Sequence, residues 1–233
     1  MRTYRTSRGP FVEAPFFTGS EIESICLDEL RKFDLLPDKP TAIRIERFVE
    51  KRFKVTVEPA ELGEGILGLT KFGPNGVQAM FVSETLDADR SIPAVRRIRS
   101  TIAHEAGHGL LHAHLFVIPS TARLFGNTSD PQTAEVLCRG DVIEATRTGY
   151  SGEWWEFQAN TAMGHLLIPR PLLEGAVVQF TVPMGSLGGR CIDPTRYEPA
   201  IHALASIFDV NPIVARIQVR NLYSVKDDPQ MAL

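Results

Sequence analysis

The sequence predicts an α+β domain: a small twisted β-sheet, built on a hairpin, packs on a pair of helices, with helical extensions toward both termini. Three observations predict it. Along 92–116, Val95, Ile98, Ile102, Ala106 and Ala113 form an apolar stripe at helical spacing. A second strong helical segment, 152–168, stops at Pro169 and Pro171. Ahead of both, the β-compatible runs 65–72 and 77–83 flank Gly73, Pro74, Asn75 and Gly76, which supply turn geometry.

The other elements follow in chain order. Residues 1–19, punctuated by Pro10 and Pro15, read as an irregular arm. Ser20 and Glu23 fit a capping box, which opens a helix through about residue 33, stopped before Pro37. A second helix opens at Pro40, with Ala42, Ile45, Phe48 and Val49 on one side, and ends near Phe53. Residues 54–57 are a short strand, and 86–91 a polar connection. The segment 117–152 is a long insert with strand character near 134–137. Residues 172–189 read as strand or loop. Two helices close the chain, 197–208 and 212–223, with Asn211 as N-cap of the second. The organisation expected is an arm (1–19), a main domain (20–194) carrying the insert, and a C-terminal helical pair (195–233).

With 233 residues, 43% hydrophobic and 23% charged, the chain carries enough apolar material for a core, and disorder is not expected. A net charge of −3 gives no general affinity for polyanions, which argues against a nucleic-acid coat or a membrane-surface protein. Cys26, Cys138 and Cys191 are too few and too widely spaced for a disulfide framework or a Cys-rich zinc module. The N-terminal segment lacks the apolar run of a signal peptide, and no stretch approaches transmembrane length. A soluble protein of a reducing compartment, the cytoplasm, is expected.

The six histidines are unevenly spread: His104, His108, His112 and His114 lie close together. Residues 104–108 read His-Glu-Ala-Gly-His. On a helix, i and i+4 differ by about 40° in direction and one turn in height, so His104 and His108 reach the same point. Neutral imidazole is a preferred Zn²⁺ donor. Glu105 is turned about 100° from His104. That is awkward for a ligand but suits a base acting on metal-activated water. Gly107 and Gly109 each cost about 1 kcal/mol in a helix interior relative to Ala, which close approach of another backbone or a substrate would explain, with loose packing as the alternative.

A peptidase-type zinc site takes a third protein ligand and keeps one position open. Two sources compete for that role. His114 stands where a longer histidine motif would place its third ligand, but that motif needs glycine at 111, which is Leu. The alternative is the second helix, where Glu156 and Asn160 stand at i and i+4 and face one way, with Met163 and Leu167 continuing that face into the core. Asn160 there accepts the outer N–H of a ligating imidazole. Glu153, one turn earlier, is the fallback.

Three blocks in order, Ser100-Thr-Ile-Ala-His-Glu-Ala-Gly-His-Gly-Leu-Leu-His112, Glu156-Phe-Gln-Ala-Asn160 and Leu166-Leu-Ile-Pro169, resemble the ImmA/IrrE family of zinc-dependent metallopeptidases. The resemblance extends more loosely over about residues 40–222. It implies a zincin-like active-site helix pair, His104, His108 and Glu156 as ligands of one Zn²⁺, and Glu105 as catalytic base. Members of that family are bacterial or phage-associated, and several cleave helix-turn-helix repressors. A protein or peptide substrate, in particular a DNA-binding repressor, is the partner this implies. The chain departs from the pattern in the length of its 117–152 insert and in carrying no recognisable N-terminal DNA-binding domain.

Other residues have weaker assignments. His112 continues the His104/His108 stripe as a structural or supporting histidine at the cleft edge, and His165 reads as structural. Tyr150, Tyr197 and His202 are candidate electrophiles among which sequence does not choose. Trp154 and Trp155 read as core. Arg216 and Arg220 lie on a helix-turn-helix-like pair that reads instead as a hairpin packed on the domain, so direct nucleic-acid binding is not expected. Mn²⁺ or Fe²⁺ suits the same ligands. A different class of function is also open: a non-catalytic regulatory protein that binds a repressor or DNA and uses its metal structurally.

Overall fold

A computed structural model describes residues 2–5, 13–117, 134–139, 154–184 and 189–223. The chain is α+β. The arm is not irregular throughout: β1 (Arg2–Arg5) and β2 (Glu13–Phe16) pair antiparallel, with Thr3 opposite Pro15. Helix α1 (Gly19–Lys32) is capped by Thr18, two residues before the expected cap Ser20. The Thr18 side chain accepts from the Glu21 amide, and Glu21 accepts from the Thr18 amide at 2.7 Å. Both Thr18-x-x-Glu21 and Ser20-x-x-Glu23 satisfy the capping pattern. The earlier one wins, and Ile22, Cys26 and Leu30 form the buried face.

Helix α2 (Ile45–Phe53) begins later than Pro40. Ahead of it, the Ile43 carbonyl accepts from Arg99 Nη2 at 2.7 Å. Ile43 itself is buried beside Ile45, Phe48 and Val49. Lys54 then takes a left-handed conformation as C-cap, which moves the next strand, β3 (Val57–Ala60), beyond the expected 54–57.

The hairpin forms as expected. Strands β4 (Ile66–Gly73) and β5 (Gly76–Ser83) pair antiparallel, closed by Gly73 opposite Gly76. Pro74 fixes φ in the turn, and Gly76 at φ +102° takes a conformation closed to most side chains. Strand β3 joins β5 in parallel, and β6 (Ala134–Arg139) joins β4 antiparallel, giving the order β3-β5-β4-β6. Pro59 is tolerated because β3 is an edge. Thr70 and Met80, paired across β4 and β5, are both fully buried.

A short helix, α3 (Glu84–Ala88), starts just before the polar connection and covers part of it. Helix α4 (Ile92–Leu111) is capped by Ser91, which accepts from the Ala94 amide. It does not run to residue 116. It ends at His112, and α5 (Ala113–Val117) restarts beyond the break. Helix α6 (Trp154–Leu167) is followed at once by α7 (Arg170–Val177), where the sequence suggested strand or loop. Pro169 follows the end of α6, and Pro171 suits the first turn of α7, where a backbone N–H would have no intrahelical acceptor. Leu172, Leu173, Ala176 and Val177 make the buried face of α7. A two-stranded ribbon, β7 (Thr181–Met184) and β8 (Gly189–Ile192), precedes α8 (Tyr197–Ile207) and α9 (Pro212–Leu222). Asn211 caps α9 as expected, accepting from the Ile213 amide. The pair packs on the domain through Ile201, Leu204, Val214 and Val219, and Arg216 is engaged by Glu198.

Helix α4 lies between α6 and the β4–β5 hairpin. The sequence suggests one face on the core and one on a cleft; instead, every residue from Ser100 to Gly109 is buried. No single helix among the described residues is long and apolar enough to cross a membrane. Of the insert, only Val117 and β6 fall within the described residues.

Candidate metal centre

Helices α4 and α6 run in opposite directions past each other, with His104 beside Asn160 and His112 beside Trp154. Gly107 makes this possible. A Cβ there would stand 2.9 Å from the Ala159 carbonyl oxygen and 3.1 Å from the Ala159 Cα, so backbone approaches backbone, as its helix-interior position suggested. At Gly109 the crowding comes from the Phe53 ring and Val77.

On this scaffold His104 Nε2 and His108 Nε2 stand 3.0 Å apart. From α6, Glu156 places Oε2 3.1 Å from His104 Nε2 and Oε1 3.5 Å from His108 Nε2. Two nitrogen lone pairs cannot face each other at that distance unless a proton or a cation lies between them. The group His104, His108 and Glu156 can hold a metal ion. Burial alone would raise the Glu156 carboxyl; hydrogen bonds and charge from His104 and His108 reverse this and hold it well below the usual carboxylate range.

The outer face of His104 meets Asn160, whose Oδ1 lies 3.0 Å from Nδ1. An amide oxygen only accepts, so Nδ1 carries the hydrogen and Nε2 presents its lone pair inward. His108 Nδ1 lies 3.0 Å from His112 Nδ1, and His112 Nε2 lies 3.0 Å from Gln158 Oε1. Burial lowers both His108 and His112 from the ordinary imidazole value, His112 the more strongly.

Glu105, fully buried, receives a 2.5 Å hydrogen bond from the Thr70 hydroxyl at Oε2, while Oε1 has no hydrogen-bond partner among the described residues. Burial pushes this carboxyl up to about 7; His104 and the Thr70 hydroxyl oppose the shift, and Glu156 adds to it. A carboxyl near neutrality exchanges protons readily in both directions.

The sequence-predicted residues His104, Glu105, His108, His112, Glu156 and Asn160 are thus gathered at one place. His114 falls in α5, outside the donor group. Glu153 and Tyr150 lie outside the described residues. Tyr197 faces Arg216, and His202 is exposed on α8. His165 is buried, with Nδ1 lacking a hydrogen-bond partner among the described residues. Trp154 is buried, as expected, against the His112 ring.

Two contributors were not singled out from sequence. Thr70 carried no signal beyond a β-compatible run. Gln158 is turned about 200° from Glu156 around α6, so helical phase argued against both serving one centre. No family model matches the chain, and no curated protein matches it.

Proposed function

We propose that the chain is a zinc-dependent endopeptidase: His104, His108 and Glu156 hold Zn²⁺, and Glu105 is the general base. The observation that carries this reading is the convergence of two imidazole nitrogens and a carboxylate, with pair distances of 3.0, 3.1 and 3.5 Å, beside the fully buried carboxyl of Glu105. Donors about 2.0–2.1 Å from a tetrahedral ion stand about 3.3–3.4 Å from one another, so the triangle has the right scale. Three protein donors leave one position for water.

When bound, Zn²⁺ supplies Lewis acidity that makes the water a nucleophile near neutral pH and polarises the scissile carbonyl. Glu105 takes the water's proton at Oε1, the oxygen not engaged by Thr70, and returns it to the leaving amine. Thr70 fixes the orientation of that carboxylate, and Asn160 fixes the His104 ring. The blocks that resemble the ImmA/IrrE family all lie on α4, α6 and the turn after α6. They support membership of that family and, with it, a helix-turn-helix repressor as substrate.

The test is cleavage of a peptide library by the zinc-loaded chain and by Glu105→Gln, read by mass spectrometry. The parent is expected to cleave, a chelator to stop it and Zn²⁺ to restore it. Glu105→Gln is expected to hold zinc without cleaving. A metal-loaded Glu105→Gln protein that cleaves at the parental rate overturns the mechanism.

The burial of His104, Glu105 and His108 favours a second reading, a binding protein whose metal is structural. It requires a closed site without exchangeable water in the Co²⁺-substituted protein, and repressor or DNA binding that Glu105→Gln leaves unchanged.

A further inference from the structure

We propose that Gln158 is a positioning residue that sets the tautomer of His108 through His112, taking its direction from a backbone carbonyl on the N-terminal ribbon. The inference rests on the reading of His108 as a metal ligand. The relay starts at the Pro15 carbonyl in β2, which can only accept. Gln158 Nε2 donates to it at 2.9 Å. The other side of the amide, Oε1, therefore faces His112 Nε2 at 3.0 Å, and since an amide oxygen only accepts, that nitrogen carries the hydrogen.

A neutral His112 then has its lone pair on Nδ1, which faces His108 Nδ1 at 3.0 Å. Two bare nitrogens cannot bond, so His108 Nδ1 carries the hydrogen. Nε2 of His108 is left with a lone pair directed toward His104 Nε2 and Glu156.

The direction of the relay is locked. Rotating the Gln158 amide by half a turn would set oxygen against the Pro15 oxygen and a donor against the donor on His112. Every side chain in it is buried, His108 at 0%, His112 at 1% and Gln158 at 5% exposure, so water does not compete for these bonds. His104 is oriented by one amide on its neighbouring helix, whereas His108 is oriented through two residues by an element distant in sequence. Docking of the β1–β2 ribbon and readiness of the second ligand are thereby linked.

The experiment uses the full chain and the variants Gln158→Leu and Gln158→Glu. Imidazole nitrogen–proton correlation spectra of the zinc-free, nitrogen-15-labelled protein report the His108 tautomer, chelator competition reports the Zn²⁺ affinity, and thermal melts report folding. The parent is expected to show a hydrogen on His108 Nδ1, with any second proton of the zinc-free protein shared between the two Nε2 atoms. Gln158→Leu is expected to give a mixture of tautomers and an affinity about 10–100-fold lower. Gln158→Glu, neutral in this buried place, keeps an acceptor facing His112 and an O–H facing the Pro15 carbonyl, and is expected to keep most of the affinity.

A hydrogen on Nε2 alone of His108 in the zinc-free parent overturns the proposal, as does a folded Gln158→Leu protein with parental affinity. Should Gln158→Leu not fold, the parental spectrum and the Glu variant decide. A parent that binds no Zn²⁺ refutes the peptidase reading, while the tautomer spectrum still decides this one.

Discussion

Arg96 and Arg99 precede His104 and His108 on the same helix, yet the two pairs have opposite surroundings. Arg96 Nε meets Asp209 Oδ1 at 3.1 Å, and Arg99 donates to the Asp209 and Ile43 carbonyls at 3.0 and 2.7 Å. Those donors meet fixed acceptors and tie α4 to the segment before α2 and to the turn between α8 and α9. Farther along, nitrogen faces nitrogen at 3.0 Å and Glu105 keeps an oxygen without a hydrogen-bond partner among the described residues. A part-buried polar cluster whose donors meet acceptors is a fastening. One in which like atoms converge can hold a proton or a metal ion between them.

The sharpest way to break the comparison is His108→Ala, which removes one of three donors. Bound metal is expected to fall from one ion per chain to near none by atomic spectroscopy; one ion per folded chain would place the site elsewhere.

Next in size is a pH effect on the metal-free protein. Glu105 is raised from 4.5 to about 7 in the folded chain, so its stabilising contribution is full below pH 4.5 and is lost as pH climbs to 7. The loss is on the order of 3 kcal/mol. Glu156, whose carboxyl is lowered, has the opposite sign: its contribution is present above 4.5 and lost as pH falls. Buried His108, His112 and His165 and half-buried His114, all lowered from 6.5, act the other way and add stability as pH rises toward 6.5. Urea melts in chelator should therefore show the parent losing stability relative to Glu105→Gln from pH 4.5 to 7, and equal slopes for the two proteins would refute the assignment.

Asn160→Ala is expected to lower metal affinity about 10–100-fold while leaving the fold intact, measured by chelator competition. Smallest is Arg99→Ala, at about 1–3 kcal/mol of stability by urea melts. It should leave metal content unchanged, and a loss of metal would erase the distinction between the two ends of α4.

Much of the centre was legible because helices carry their geometry in their spacing. His104 with His108, and Glu156 with Asn160, are i,i+4 pairs whose direction follows from the turn alone. Gly107 signalled a close approach by standing where a helix interior disfavours it. The hairpin was legible for the same local reason, through its turn residues. Thr70 and Gln158 were not, because their roles depend on which surface packs against α4, and no spacing along the chain encodes that. The β1–β2 ribbon was missed because two four-residue strands leave almost no periodicity. Helix α7 was missed because Pro171 reads as a terminator unless the chain restarts there. The break at His112 was hidden by apolar residues that continue past it.

Gly107 also bears on how accurately the cluster can be built. Because its Cα lies bare against the Ala159 backbone, α4 and α6 meet at a hard stop between the two histidines, one residue before His108. Metal–donor bonds tolerate deviations of only about 0.2 Å, far less than the width of a methyl group. Any side chain at 107 would act like a shim between two machined faces, moving Glu156 away from His104 and His108 together while leaving all three residues in place. The tolerance of the donor triangle is set by a lone hydrogen atom at a position that is neither ligand nor base.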